Sequence, residues 1–165
     1  MLEALVKVGA PSFFPYVSAI AGGNGGLCSL GAVSVLNGQH KFLPYVANGI
    51  NWVANNGQDV ISANFSGCIM AAYSDHGTAK VCHVSTGAGY GDCKAAWDAL
   101  KANYNNVIQF KPSDFIYNTP HIRCYGLITS NMQMYTVLVQ ENRALLPNGT
   151  HSRSEMKFAK IIRAY

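Results

Sequence analysis

The sequence predicts a single α+β domain, residues 1–165, built round a twisted, largely antiparallel sheet or sandwich. Strand-like runs rich in β-branched and aromatic residues recur along the chain, and Asn, Gly, Asp and Pro bound them. Only one segment, residues 91–104, has a clear helical pattern. The chain contains no repeat, low-complexity segment or linker, so nothing divides its 165 residues into two domains.

The strands follow in order along the chain, with the helix among them. We expect strands at residues 27–36, 41–54, 59–73, 79–86, 106–110, 123–130 and 132–140. Pro44 is expected to interrupt the second of these. In the helix, Asp92 can act as the N-cap, and the apolar face is predicted to comprise Ala95, Ala96, Ala99 and Leu100. Residues 153–165 fit a helix or a strand equally well.

Composition and charge narrow the class of protein. Apolar residues make up 49% and charged residues 12%, which is typical of a globular chain. The net charge of +4 is spread along the sequence, so we expect no nucleic-acid partner. The five cysteines are an odd number without CxxC spacing, which favours a reducing compartment over a disulfide framework. Residues 8–39 lack charge, but Pro11, Pro15 and the Gly-rich run 22–26 break them, so we expect no membrane span and no signal peptide.

The segment from Phe65 to Gly87 carries the candidate chemistry. Between its two predicted strands lies the turn-forming sequence SDHGT, and a hairpin symmetric about Asp75 and His76 would pair residues whose numbers sum to 151. This register places Cys68 directly opposite His83, on one face of the sheet. The same register places Cys82 opposite Ile69, on the other face.

A cysteine facing a histidine is the arrangement that thiol-based acyl transfer requires. The imidazole removes the thiol proton and then protonates the leaving amine. A third group normally fixes the imidazole tautomer, and strand alternation offers Ser62 for this role, with Asn64 next and Ser66 on the same face. Gly67 removes bulk beside the nucleophile, and the backbone N–H of Cys68 is a candidate oxyanion donor.

The sequence SGC at 66–68, followed fifteen positions after its cysteine by His83, resembles the glutamine deamidase toxins. This family includes the catalytic domain of cytotoxic necrotizing factor and the Burkholderia lethal factor. The resemblance implies a β-sandwich core with flanking helices, and hydrolysis of a glutamine side chain in a target protein without metal or cofactor. Cys68 would be the nucleophile and His83 the general base and acid. Ser62 takes the position of a threonine that the lethal factor carries six residues before its cysteine.

The resemblance further implies a virulence effector that is secreted and acts in a reducing cytosol, with a cytoplasmic enzyme as the alternative. Its partner would be a target protein, of which a host GTPase or a translation factor is the type implied. A cysteine peptidase or a transglutaminase would use the same pair of residues. In a non-enzymatic binding or immunity-like module, Cys68 and His83 would instead be core residues. A zinc site among Cys68, Cys82, His83 and Cys93 lacks the usual short ligand spacings, and a pore-forming protein is supported only by residues 8–39.

Overall fold

The computed structural model describes most of the chain beyond its first 28 residues. The described ranges are 29–32, 35–37, 40–63, 65–86, 93–116, 122–142, 146–149 and 155–164. The Gly-rich run 22–26 and the predicted N-cap Asp92 lie outside them.

Strands dominate the described part of the chain. They are β1 (Ser29–Ala32), β2 (Val35–Asn37), β3 (His40–Leu43), β4 (Gly49–Ala54), β5 (Asp59–Ala63), β6 (Ile69–Asp75), β7 (Thr78–Val84), β8 (Asn105–Phe110), β9 (Ile122–Ile128), β10 (Met134–Asn142) and β11 (Glu155–Arg163). One α-helix, α1 (Cys93–Leu100), is described, with short 3-10 helices at Lys101–Asn103 and Pro112–Phe115. The ambiguous C-terminal segment is therefore a strand, because it pairs with β10 along its length.

The strands form two sheets. One has five strands in the order β1-β4-β7-β6-β8, and the other has six in the order β11-β10-β9-β5-β3-β2. Among the described pairs, β1–β4 and β3–β5 are parallel, and the others are antiparallel. The prediction of a mixed α+β domain with largely antiparallel strands is confirmed.

One buried apolar cluster draws on both sheets. Leu43, Val60 and Leu138 contribute to it from the six-stranded sheet. Val53 and Val81 contribute from the five-stranded sheet. We call the sheet faces that meet in this cluster the inner faces. Burying this shared apolar surface is the main force that holds the two sheets together.

Two predicted strands each divide between the sheets. The first divides after Leu43, next to Pro44, as expected: β3 lies in the six-stranded sheet and β4 in the five-stranded one. The second was predicted as one strand, 59–73, and this is wrong. Gly67 has φ +143°, a conformation that favours glycine, and the chain bends there between β5 and β6. Because a strand that changes sheets keeps its apolar and β-branched composition, the composition could not show the division.

Helix α1 covers the outer face of the five-stranded sheet with only part of the predicted face, since Ala96 and Leu100 pack against the buried cluster there. Cys93 and Trp97 are buried, while Ala95 and Ala99 are exposed. The large indole decides the orientation, because its burial outweighs that of several methyl groups. The Trp97 ring is fully buried in the core, and its Nε1–H donates to Gln109 Oε1 at 2.8 Å.

The β6–β7 hairpin turns one residue later than predicted. Its two loop residues, His76 and Gly77, have φ 47° and 81°, the positive values that a type I′ turn requires at both positions. Paired residue numbers therefore sum to 153, as in Met70 with His83, and the predicted sum of 151 is wrong. The two sums differ by two, and side chains alternate between the faces with a period of two, so every side chain keeps its predicted face. Cys82 pairs with Ala71 instead of Ile69, and it still lies on the outer face.

Candidate active site

His83 lies at the centre of the inner face of the five-stranded sheet. Its neighbours across the sheet are Asn51 on β4 and Met70 on β6. The residue is 1% exposed. The Phe65 ring stacks on the imidazole with centroids 4.2 Å apart and planes 10° from parallel, and the Tyr45 ring lies tilted at 5.3 Å. Two aromatic rings thus fix the plane of the imidazole.

Ser62 reaches His83 from the other sheet. Its side chain is fully buried on β5, and Oγ lies 2.7 Å from His83 Nδ1. The hydroxyl also donates to the Leu43 carbonyl at 2.5 Å. Because a serine hydroxyl has only one proton, it must accept the hydrogen bond from Nδ1–H. The proton is therefore on Nδ1, and Nε2 carries a lone pair.

The free lone pair of His83 has no hydrogen-bond partner among the described residues. Nε2 is buried and unpartnered. Burial disfavours the imidazolium and lowers the pKa of His83 to about 3. The ring is therefore neutral near pH 7, with its basic nitrogen held in a fixed direction.

Cys68 lies just before β6 and is 7% exposed. Continuing the hairpin register places it opposite Ser85, and the predicted position directly opposite His83 is wrong. Cys68 and His83 share the inner face as diagonal neighbours. The Cα atoms of such a pair are about 7–8 Å apart. The two side chains are thus on the same side of the sheet, one step further apart than predicted.

The environment of Cys68 favours the neutral thiol. Burial raises the pKa of Cys68, and this outweighs the opposite effect of three nearby donors, the N–H and the hydroxyl of Thr86 and the N–H of Cys68 itself, which lower it. Because His83 is also neutral, the resting pair is a thiol and an imidazole. It is not a thiolate–imidazolium ion pair.

The other residues expected near Cys68 have different positions. Ser66 is exposed, although it was predicted to share the face of Cys68. Asn64 lies outside the described residues. Ser62 contacts His83 from a separate strand of the other sheet, so its predicted place on the Cys68 strand is wrong.

Sequence reasoning missed four residues that lie around Cys68 and His83. Phe65 stacks on the imidazole, and the hydroxyl of Tyr45 lies 3.2 Å from Ser85 Oγ. Thr86 Oγ1 donates to the Gly67 carbonyl at 2.7 Å. A signal for Ser85 and Thr86 is present, since two hydroxyl residues directly follow an apolar strand that ends at Val84.

The described residues contain no group of three or more His, Cys, Asp or Glu side chains that could hold a metal ion. Cys82 and His83 point to opposite faces, as expected, and cannot share one ion. Cys68, Cys82 and Cys124 are free thiols. No helix in the described ranges is long and apolar enough to cross a membrane.

Comparison of the chain with protein-family models, curated proteins and solved structures finds no match. The resemblance to the glutamine deamidase toxins stays a prediction based on residues 60–86.

Proposed function

We propose that this protein is a cysteine-dependent amidohydrolase that converts a glutamine side chain of a target protein to glutamate. Cys68 is the nucleophile, His83 the general base and acid, and Ser62 the residue that orients the imidazole. One observation carries the proposal: Ser62, anchored on the Leu43 carbonyl, holds Nδ1–H and leaves Nε2 buried and unpartnered. A core histidine normally has both ring nitrogens satisfied, so the free one needs an explanation.

The proposed reaction has two stages that use the same nitrogen. In the first, Nε2 takes the Cys68 proton as sulfur bonds to the glutamine carbonyl carbon. The imidazolium then gives that proton to the departing nitrogen, and ammonia and a thioester result. In the second, Nε2 removes a proton from water, which attacks the thioester. The C–S bond breaks, glutamate forms and the thiol regains its proton.

The neutral resting pair determines how the first stage begins. A thiolate does not form in advance, so proton transfer accompanies the attack on the carbonyl. The stacked Phe65 and the bonded Ser62 keep the imidazole oriented during this step. The Cys68 N–H is the proposed donor to the oxyanion.

We further infer that the two sheets form a sandwich of the kind found in the deamidase toxins. The apolar cluster shared by both inner faces supports this inference. The buried free thiols at Cys68, Cys82 and Cys124 support action in a reducing compartment, as expected of an effector in a host cytosol. The proposed partner is a target protein that presents an accessible glutamine.

The experiment is conversion of protein glutamine in a cell lysate, mapped by peptide mass spectrometry. We expect wild type to convert specific glutamines to glutamate, and Cys68→Ser and His83→Leu to convert none of them. Cys82→Ser is the matched control, because Cys82 is a buried thiol on the outer face of the same hairpin, and it should remain active. Conversion by Cys68→Ser at the wild-type sites would overturn the proposal.

The same experiment separates the related thiol enzymes. Addition of a primary amine would reveal a transglutaminase, because the amine would replace water and appear attached to the glutamine. New peptide termini that depend on Cys68 would reveal a peptidase. Either product without glutamate formation would replace deamidation as the activity.

The burial of Cys68 favours a second candidate, a binding or immunity-like module with a structural thiol. In that case Cys68→Ser would lower the unfolding midpoint, and no lysate protein would change covalently with wild type. A Cys68-dependent change in any lysate protein would exclude this candidate.

A further inference from the structure

Thr86 links the end of β7 to the bend that carries the candidate nucleophile. Its hydroxyl donates to the carbonyl of Gly67, nineteen positions earlier, at 2.7 Å. Thr86 also lies next to the Cα of Gly67, since a Cβ added to this glycine would be 4.0 Å from Thr86 Oγ1. The hydrogen bond therefore holds the residue before Cys68 against the neighbouring strand.

The Thr86 hydroxyl also lies beside Cys68, because the Gly67 carbonyl that it bonds belongs to the residue before this cysteine, and the same hydroxyl acts to lower the pKa of Cys68. A threonine hydroxyl has one proton, so it can serve the Gly67 carbonyl or the sulfur, but not both at once. The carbonyl is the acceptor in the resting structure. A charged sulfur is a much stronger acceptor than a neutral thiol, so the preference reverses when the thiol loses its proton. The O–H bond only has to rotate about Cβ–Oγ1, because the two acceptors belong to adjacent residues.

We propose that Thr86 is a further residue of the site, which closes the Gly67–Cys68 bend at rest and transfers its hydrogen bond to the Cys68 sulfur when the thiolate forms. The backbone N–H of Thr86 also favours the thiolate, since it acts to lower the pKa of Cys68. The negative charge that develops on sulfur during attack would then have a donor that is already in place. This role deepens the proposed function, because it rests on Cys68 being the nucleophile.

Among the described residues, the titratable groups in the interior around Cys68 are His83 on β7, Tyr45, which precedes β4, and Cys124 on β9. The contribution of Thr86 to the stability of the Cys68 thiolate has to be separated from the contribution of His83. His83→Leu is therefore measured in parallel. Thr86→Val removes the hydroxyl with little change in shape, and Thr86→Ser keeps the hydroxyl. Because Thr86 is half-buried, both variants should fold.

The test is the rate of Cys68 alkylation by iodoacetamide at pH 7, 8 and 9, determined by peptide mass spectrometry. Removing a hydrogen bond to a charged group raises the pKa of a thiol by about one to two pH units, which reduces the fraction of thiolate. A thiolate of higher pKa is intrinsically more reactive, and this offsets about half of the resulting loss in alkylation rate. We expect Thr86→Val to label about three- to tenfold more slowly than wild type, and Thr86→Ser to label close to the wild-type rate. Cys82 in the same samples reports opening of the fold, because it is fully buried.

Two results would overturn the inference. Equal rates in wild type and Thr86→Val would mean that the hydroxyl does not stabilise the thiolate. Faster labelling of Thr86→Val at every pH, with Cys82 unchanged, would mean that Thr86 only holds the bend closed. The measurement needs no substrate. An alkylation result in favour of Thr86, together with no conversion of glutamine in the lysate, would keep this inference and end the deamidase proposal.

Discussion

The buried imidazole of His83 makes the stability of the fold depend on acidity. In the native state its pKa is lowered to about 3, and in the unfolded chain it returns to its ordinary value of 6.5. Between these two values the unfolded state binds a proton that the native state does not. Stability therefore rises with pH across this window. The contribution is fully present above pH 6.5 and is lost as the pH falls toward 3.

The size of the effect follows from the two pKa values. A difference of one in pKa between the folded and unfolded states corresponds to about 1.4 kcal/mol, so the whole difference for His83 amounts to roughly 5 kcal/mol near pH 3. Applying the same linkage at intermediate acidity, we expect His83 alone to remove about 2 kcal/mol between pH 7 and pH 5. This is a large part of the stability of a typical domain, which is about 5–15 kcal/mol.

The assay is urea unfolding at pH 7 and pH 5, followed by the fluorescence of the two tryptophans. His83→Leu should lose about 2 kcal/mol less than wild type over this interval. The cost of the substitution itself cancels, because each protein is compared with itself at the two pH values. His76→Asn is the matched control, since it removes a histidine from the same hairpin whose side chain is 98% exposed, and it should keep the wild-type loss. An equal loss in His83→Leu and wild type would refute the argument.

Three further substitutions test the packing around the site and the hairpin by urea unfolding. Gly126→Ala would place a Cβ 2.9 Å from the Pro112 ring between the sheets, and we expect a loss of about 1–3 kcal/mol; an unchanged midpoint would mean that the interface is loosely packed. Gly77→Ala meets no atom within 4 Å, so only the positive φ of 81° opposes it, at a cost of about 1–2 kcal/mol; a neutral result would contradict the I′ turn. Trp97→Phe leaves a cavity where the larger indole is fully buried, and we expect a loss of about 1–3 kcal/mol, with Trp97→Ala losing more.

The hairpin shows how far local sequence rules lead. The sequence SDHGT identified a turn, and alternation assigned Cys68 and Cys82 to opposite faces, as the structure has them. The predicted sum of paired residue numbers was too small by two, because the turn was centred on the middle of the polar segment SDHGT. A type I′ turn places its glycine at the second loop position, and this rule would have centred the loop on His76 and Gly77.

The contact between Ser62 and His83 was expected, but for a reason that does not hold. Alternation along one strand was to place Ser62 beside Cys68, whereas the two residues lie on different sheets. The chain crosses from one sheet to the other between β5 and β6, so Ser62 faces His83 across the interior. Alternation describes which face a residue occupies, and it contains no information on which sheet the strand joins. Long-range pairing of this kind, such as β5 with β3 and β9, is decided by the whole core.

Burial acts in opposite directions on the two groups of the proposed mechanism, and their balance determines when the proton moves. The pKa of Cys68 is raised above its ordinary value of 9.0, and that of His83 is lowered to about 3. Transfer of the proton in the empty site therefore costs more than about 8 kcal/mol before the attraction of the ions formed. At the diagonal separation of about 7 Å and an effective dielectric constant of about 20, this attraction returns only about 2 kcal/mol. The neutral thiol and imidazole are therefore the more stable pair in the resting protein. The proton has to move together with formation of the C–S bond, because the negative charge then passes to the oxygen of the substrate. Slow alkylation of Cys68 by a small reagent is thus the behaviour expected of this site, and loss of glutamine conversion in His83→Leu is the result that distinguishes a general base from a core histidine.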